Sequence, residues 1–155
     1  MQTTKCASPS DQQKKDIYQL WNSEYPAQLG YQRFSDLELY LANLKNPVHY
    51  FLGDDDGKAI GWAFVFERDD ERWFAIIVDG SMHQKGLGSL LLNMLKENEP
   101  ILNGWATDHN RYVKQDGRPY PSPVAFYLKN GFIVHHEERL DNDKINAVKI
   151  VWVNK

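Results

Sequence analysis

Val78-Asp79-Gly80-Ser81-Met82-His83-Gln84-Lys85-Gly86-Leu87-Gly88-Ser89 joins an apolar strand to an amphipathic helix. Ahead of it, Trp73 to Val78 is a short run of aromatic and β-branched residues, the composition of a buried strand. Behind it, Leu87, Leu90, Leu91, Met94 and Leu95 recur at helical spacing and form one apolar stripe. Glycines at such a junction let a ligand approach the backbone closely. The first N–H groups of the helix have no internal partner, and its dipole favours negative charge there. The stretch therefore predicts a strand–turn–helix cradle for a pyrophosphate.

Two common phosphate loops do not fit. A Walker loop needs Gly-Lys-Ser/Thr opening the helix, whereas here Lys85 precedes the glycines and Ser89-Leu90 follow them. A dinucleotide fingerprint needs a third glycine where Leu91 stands. The stretch instead resembles the acetyl-CoA loop of the GNAT superfamily of N-acetyltransferases, Arg/Gln-x-x-Gly-x-Gly/Ala after a strand ending in Val. Gly86 and Gly88 match, Val78 falls at the strand end, and His83 departs from the usual Arg or Gln. A second stretch, Phe126-Tyr127-Leu128-Lys129-Asn130-Gly131-Phe132, resembles the family's later signature, in which a helix stops at glycine and a strand begins.

That resemblance implies an α/β (α+β) fold with a central mixed, mostly antiparallel twisted sheet flanked by helices. It implies one N-acetyltransferase domain over residues 1–155, with acetyl-CoA as cosubstrate and no metal. The reaction would be direct attack by a primary amine in a ternary complex; a non-catalytic CoA-binding or sensor domain is the alternative. Cofactor contacts would come from His83, Gln84, Lys85, Gly86, Leu87, Gly88 and Ser89, from the main chain of Ile77 and Val78, and from Lys129. Tyr127 would act as general acid toward the departing thiolate. For the base, Asp108 and His109 rank above Glu71, with water as a relay equally open. Family members commonly carry Asn where Tyr120 stands, a second departure.

Composition bounds the remaining classes. The chain has 155 residues, is 42% hydrophobic and carries a formal charge of −3, values of a globular domain rather than a disordered one. No dense Lys/Arg block suggests a nucleic-acid footprint. One cysteine, Cys6, excludes an intrachain disulfide, and no apolar run resembles a signal or membrane span. A cytoplasmic location without membrane or nucleic-acid partners is expected. The oligomeric state is open, with a homodimer among the options.

Along the chain, the order reads strand, two helices, three strands, helix, strand, helix, two strands. Ser8 is expected to cap the first helix, Ser35 to Glu38 to form a capping box on the second, and Pro47 to stop that helix near Leu44. Asp54 to Gly57 reads as a hairpin turn. Asp108 to Pro121 is a long connection, either bordering the acceptor pocket or a mobile polar insertion. Adjacent His135 and His136 face opposite sides of a strand and make a poor metal pair.

Overall fold

The computed structural model describes residues 1–155. Its elements are β1 (Gln2–Cys6), α1 (Asp11–Glu24), α2 (Phe34–Ala42), β2 (Lys45–Gly53), β3 (Ala59–Arg68), β4 (Glu71–Val78), α3 (Leu87–Asn98), β5 (Ile101–Ala106), α4 (Val124–Lys129), β6 (Ile133–Asp141) and β7 (Asn146–Val153). The strands form one seven-stranded sheet in the order β1-β2-β3-β4-β5-β7-β6. Every neighbouring pair is antiparallel except β4 and β5, which are parallel. The mixed, mostly antiparallel sheet matches the expectation, and so does the order of helices and strands.

Each face of the sheet buries its own cluster. Val65, Phe74, Leu91, Leu95, Leu102, Tyr127 and Ile150 belong to the cluster under α3 and α4. On the other face Trp62, Phe64, Phe66, Trp73 and Ile77 pack against Ile17, Leu20, Trp21, Leu37 and Leu41 of α1 and α2. The period-2 alternation of strands explains the division, because neighbouring residues of β3 and β4 point to opposite faces. Docking of α1 is fixed by a polar contact as well. Buried Asp16 accepts the Ala59 N–H at 3.1 Å, satisfying an amide at the start of β3. The α1–α2 connection is pinned where Trp21 donates to the Leu29 carbonyl at 2.8 Å and Asn22 exchanges two hydrogen bonds with the Tyr31 backbone.

Four local expectations are corrected. Ser10, not Ser8, caps α1: its hydroxyl accepts the Gln13 N–H while Gln13 reaches back to the Ser10 N–H, a complete capping box. The second helix starts at Phe34, so Ser35 lies inside its first turn, and Arg33 at the cap position makes no side-chain capping bond. That helix ends at Ala42 rather than near Leu44. Pro47 then sits within β2, tolerated because the β2–β3 register shifts between Lys45 and Val48 and no β1 residue pairs there. The Asp54–Gly57 turn forms as expected, with Asp54 Oδ1 accepting the N–H groups of Asp56 and Lys58 at 2.9 Å.

Candidate active site

The parallel β4–β5 pair is the origin of the site. Its register contains one residue pair, Trp73 with Asn103, and Asn103 Nδ2 reinforces that end by donating to the Arg72 carbonyl at 3.1 Å. Beyond it, towards Val78 and Ala106, the strands have no ladder between them. Gly104 helps to set this geometry. A Cβ there would lie 2.7 Å from the Phe74 ring, so only glycine lets that ring cross the base of the gap.

Main-chain groups facing the gap follow from the β3–β4 ladder. Antiparallel pairing turns the N–H and C=O of alternate residues to one neighbour and the others away. Asp79 donates to the Ile60 carbonyl at 2.8 Å, and Ile77 sits opposite Trp62 in the same phase, so the Ile77 backbone is engaged with β3. Ile76 and Val78 are the residues whose backbone groups open into the gap. Of the expected pair, Val78 turns its backbone groups into the gap and Ile77 does not, and Ile76 does.

At the mouth of the gap lies the glycine turn. Asp79 accepts from both Ser81 N–H and Ser81 Oγ, at 2.9 and 2.7 Å, starting a single 3₁₀ turn over Gly80–Met82. Gln84 (φ 66°) and Gly86 (φ 78°) are both left-handed, a geometry that suits glycine and turns the chain into α3. The first helical bond runs from the Leu90 N–H to the Gly86 carbonyl at 3.0 Å, and no side chain caps the helix. Leu87, Gly88 and Ser89 therefore present the free first-turn amides expected for anion binding. Gly88 has a second reason to be glycine, since a Cβ would lie 2.9 Å from the Phe126 ring of α4. Gln84 and Lys85 are exposed on this turn. His83 bends back, its Nε2–H donating to the Val78 carbonyl at 2.9 Å, so it occupies one of the groups that face the gap.

Behind the gap stands Tyr127, buried and packed edge-on against Phe74 (5.8 Å between ring centroids) and Phe132 (5.2 Å). Gly131 (φ 88°) ends its helix as the sequence predicts, and Lys96 donates to the Asn130 carbonyl, tying α3 to the end of α4. Ser122 Oγ accepts the Val124 N–H and donates to the Thr107 carbonyl, so it braces the start of α4. Burial first, and then the neighbouring Tyr120 phenol, raise the Tyr127 pKa well above that of a free phenol. Burial alone pushes Tyr120 up to about 12, and burial with the nearby Tyr120, Tyr127, Tyr40 and Tyr31 phenols raises Tyr25. The phenols of Tyr25, Tyr120 and Tyr127 therefore all stay protonated at neutral pH.

Two of the three base candidates are held by hydrogen bonds, and the third lies at the end of β4 away from the gap. Asp108 is clamped by both terminal nitrogens of Arg139 at 2.9 Å, and those hydrogen bonds lower its pKa to about 2. His109 has both ring nitrogens occupied: Nε2–H donates to the Asn146 carbonyl at 3.2 Å and Nδ1 accepts the Arg111 N–H at 3.2 Å. Glu71 is exposed at the closed, paired end of β4 and faces Lys149 at 3.9 Å. Lys129 is exposed at the end of α4 without an ion-pair partner.

Sequence reasoning missed three participants. Trp73 Nε1, at the paired position of β4, and Thr107 Oγ1, just past the end of β5, are the buried side-chain polar atoms without a partner. Unpaired buried polar groups are rare, and sites that bind ligands are one reason for them. The third, Glu24, joins the end of α1 to Gly80 and Lys114. The 108–121 connection packs on the segment that follows α1: the Ala27 N–H donates to the Val113 carbonyl at 2.9 Å, and Val113 bridges to Pro119.

The model of the acetyltransferase (GNAT) domain family matches residues 46–134, more than half of the chain. The chain belongs to the GNAT acetyltransferase family. Among solved structures, an aminoglycoside 6'-N-acetyltransferase complexed with coenzyme A superposes with a TM-score of 0.72 at 13% identity, covering 99% of this chain and 97% of the other. A GNAT phosphinothricin acetyltransferase from Sinorhizobium meliloti in complex with acetyl-CoA gives 0.67 at 12% identity, covering 99% and 89%. The ribosomal-protein-S18-alanine N-acetyltransferase of Escherichia coli gives 0.64 at 16% identity, covering 98% and 94%. At these identities the likeness is one of GNAT fold. No curated protein matches the chain.

Proposed function

We propose that this GNAT chain transfers the acetyl group of acetyl-CoA to a primary amine by direct attack in a ternary complex. The observation that carries the reading is the unpaired β4–β5 gap, with the free amides of α3 at its mouth and the Tyr127 phenol behind it. The pyrophosphate would sit on the amides of residues 84–89, and the pantetheine arm would add a strand-like partner to Ile76 and Val78. The amine nitrogen then attacks the thioester carbonyl carbon. As the C–S bond breaks, the nitrogen gives up a proton and the thiolate leaves. A main-chain N–H facing the gap supports the oxyanion. Because its pKa is raised, the Tyr127 phenol keeps its proton and serves the thiolate first as a hydrogen-bond donor.

With Asp108 and His109 engaged elsewhere, the acceptor ammonium loses its proton to water. A rate limited by free amine follows the acceptor's own ionisation, near pKa ~10.4 for a lysine-like amine. Thiol release should therefore climb steadily from pH 7 to 10, without an inflection near an imidazole pKa. The same engaged residues favour a second reading, a CoA-binding domain without catalysis. Acetyl-CoA calorimetry and thiol release over an amine panel at pH 9.5 separate the two. Binding with release supports transfer, binding without release at any amine supports the second reading, and no binding removes both.

A further inference from the structure

One buried ion pair lies outside the chemistry described above. Glu24, the last residue of α1, and Lys114, in the 108–121 connection, are both more than nine-tenths buried and meet at 3.0 Å between Oε1 and Nζ. The other carboxylate oxygen, Oε2, accepts the Gly80 N–H at 2.8 Å. Gly80 opens the 3₁₀ turn that leads into the glycine turn. A Cβ on Gly80 would lie 3.1 and 3.3 Å from the two oxygens, so the close approach depends on glycine. Lys114 is itself fixed: its N–H donates to the Arg118 carbonyl at 2.8 Å, its carbonyl accepts the Gly117 N–H at 2.9 Å, and it bridges to Pro26.

Burying two charges is costly, and the pair persists only where the remaining hydrogen bonds are satisfied. Here they are satisfied by the very amide that begins the cofactor turn. Tyr25 follows Glu24 in the chain, and the Lys114 hairpin leads to Tyr120, whose N–H donates to the Tyr112 carbonyl at 2.9 Å. One strut therefore joins the turn that would hold the pyrophosphate to the segment that carries the acceptor-side phenols.

We infer that Glu24 is a positioning residue for the cofactor turn and that Lys114 holds its carboxylate in place, so acetyl-CoA affinity depends on a residue of the acceptor-side connection. The inference rests on the proposal that residues 80–89 bind acetyl-CoA. Removing the ammonium alone leaves a buried charge that must turn towards water and release Gly80. Replacing the carboxylate by an amide in the same background keeps the acceptor for Gly80 and removes the stranded charge.

The test is acetyl-CoA calorimetry, with thermal melting in parallel, on the unaltered protein, Lys114→Met, Glu24→Gln/Lys114→Met and Glu24→Ala/Lys114→Met. Lys114→Met is expected to weaken binding about 10-fold, the loss of one charge-assisted contact. Glu24→Gln/Lys114→Met should return to within about 3-fold of the unaltered protein, and Glu24→Ala/Lys114→Met should stay about 10-fold weak. If Lys114→Met does not fold, the two double variants, which strand no charge, decide the matter between them. Equal affinity in the two double variants, or unchanged affinity in folded Lys114→Met, would overturn the inference. Failure of the unaltered protein to bind acetyl-CoA would refute the assignment of the turn itself, and with it the inference.

Discussion

On the face of the sheet under α3 and α4, the working parts are main-chain atoms: the free amides of the glycine turn and the gap-facing groups of Ile76 and Val78. The face under α1 and α2 is built instead from side chains packed as core. Trp62, Phe64 and Phe66 form a row of stacked rings (4.3 and 5.5 Å between centroids), with Trp21, Tyr25, Tyr31 and Tyr40 above them. The matched family span begins at Asn46, so it takes in the gap, the turn and Tyr127 but leaves out α1 and α2. A cofactor common to many proteins is held by backbone geometry that few sequences can change.

This contrast is most severely tested at Gly86. Nothing lies within 4 Å of a Cβ built there, but its φ is 78°, so Gly86→Val strains the backbone without a steric clash. If the amides do the binding, re-aiming the turn removes about two charge-assisted hydrogen bonds and lowers acetyl-CoA affinity roughly 100-fold or more by calorimetry. The melting temperature should fall by only a few degrees. Unchanged affinity would mean that side chains hold the cofactor after all.

A smaller effect is expected at Tyr127, where the two faces meet. Tyr127→Phe should lower thiol release about 30-fold, the scale of one lost charge-assisted hydrogen bond, with acetyl-CoA affinity unchanged. Loss of affinity alone would reduce Tyr127 to a packing role beside Phe74 and Phe132.

The third effect touches stability and leaves the cofactor turn alone, and it is confined to the face under α1 and α2. His49 is buried against Phe51, Trp62 and Phe64, and its Nδ1 accepts the Trp62 Nε1–H at 3.1 Å, so the ring is neutral. Burial lowers its pKa from 6.5 to about 4. The unfolded chain therefore takes up the proton first. Stability from this residue is complete above about pH 6.5 and is lost as pH falls towards 4, about 3 kcal/mol in all. Denaturant midpoints should track that window in the unaltered protein, and the slope should flatten in His49→Gln, whose amide oxygen can still accept from Trp62. The same slope in both proteins would place the acid sensitivity elsewhere.

The sequence made the cofactor face legible because its signals are local. Glycines at a strand–helix junction, an apolar stripe at helical spacing and a helix-ending Gly131 each depend on a few adjacent residues. Ile77 was the exception, since which amides face the gap depends on pairing with β3. The end of α1 and the 108–121 connection were less readable for the same reason. Glu24 meets Gly80 and Lys114 across 56 and 90 residues of chain, and Asp108 is taken up by Arg139 at a separation of 31. No spacing rule announces such partners. The caps failed on a finer scale: Ser8 and Ser10 both fit a helix start, and only the reciprocal bond with Gln13 selects Ser10.

Amide hydrogen exchange with and without acetyl-CoA tests the pyrophosphate cradle most directly. The account predicts slowed exchange at residues 84–89 and at Ile76 and Val78, with Ile77, already bonded to β3, little changed. Tight acetyl-CoA binding that left those amides exchanging as freely as before would contradict it.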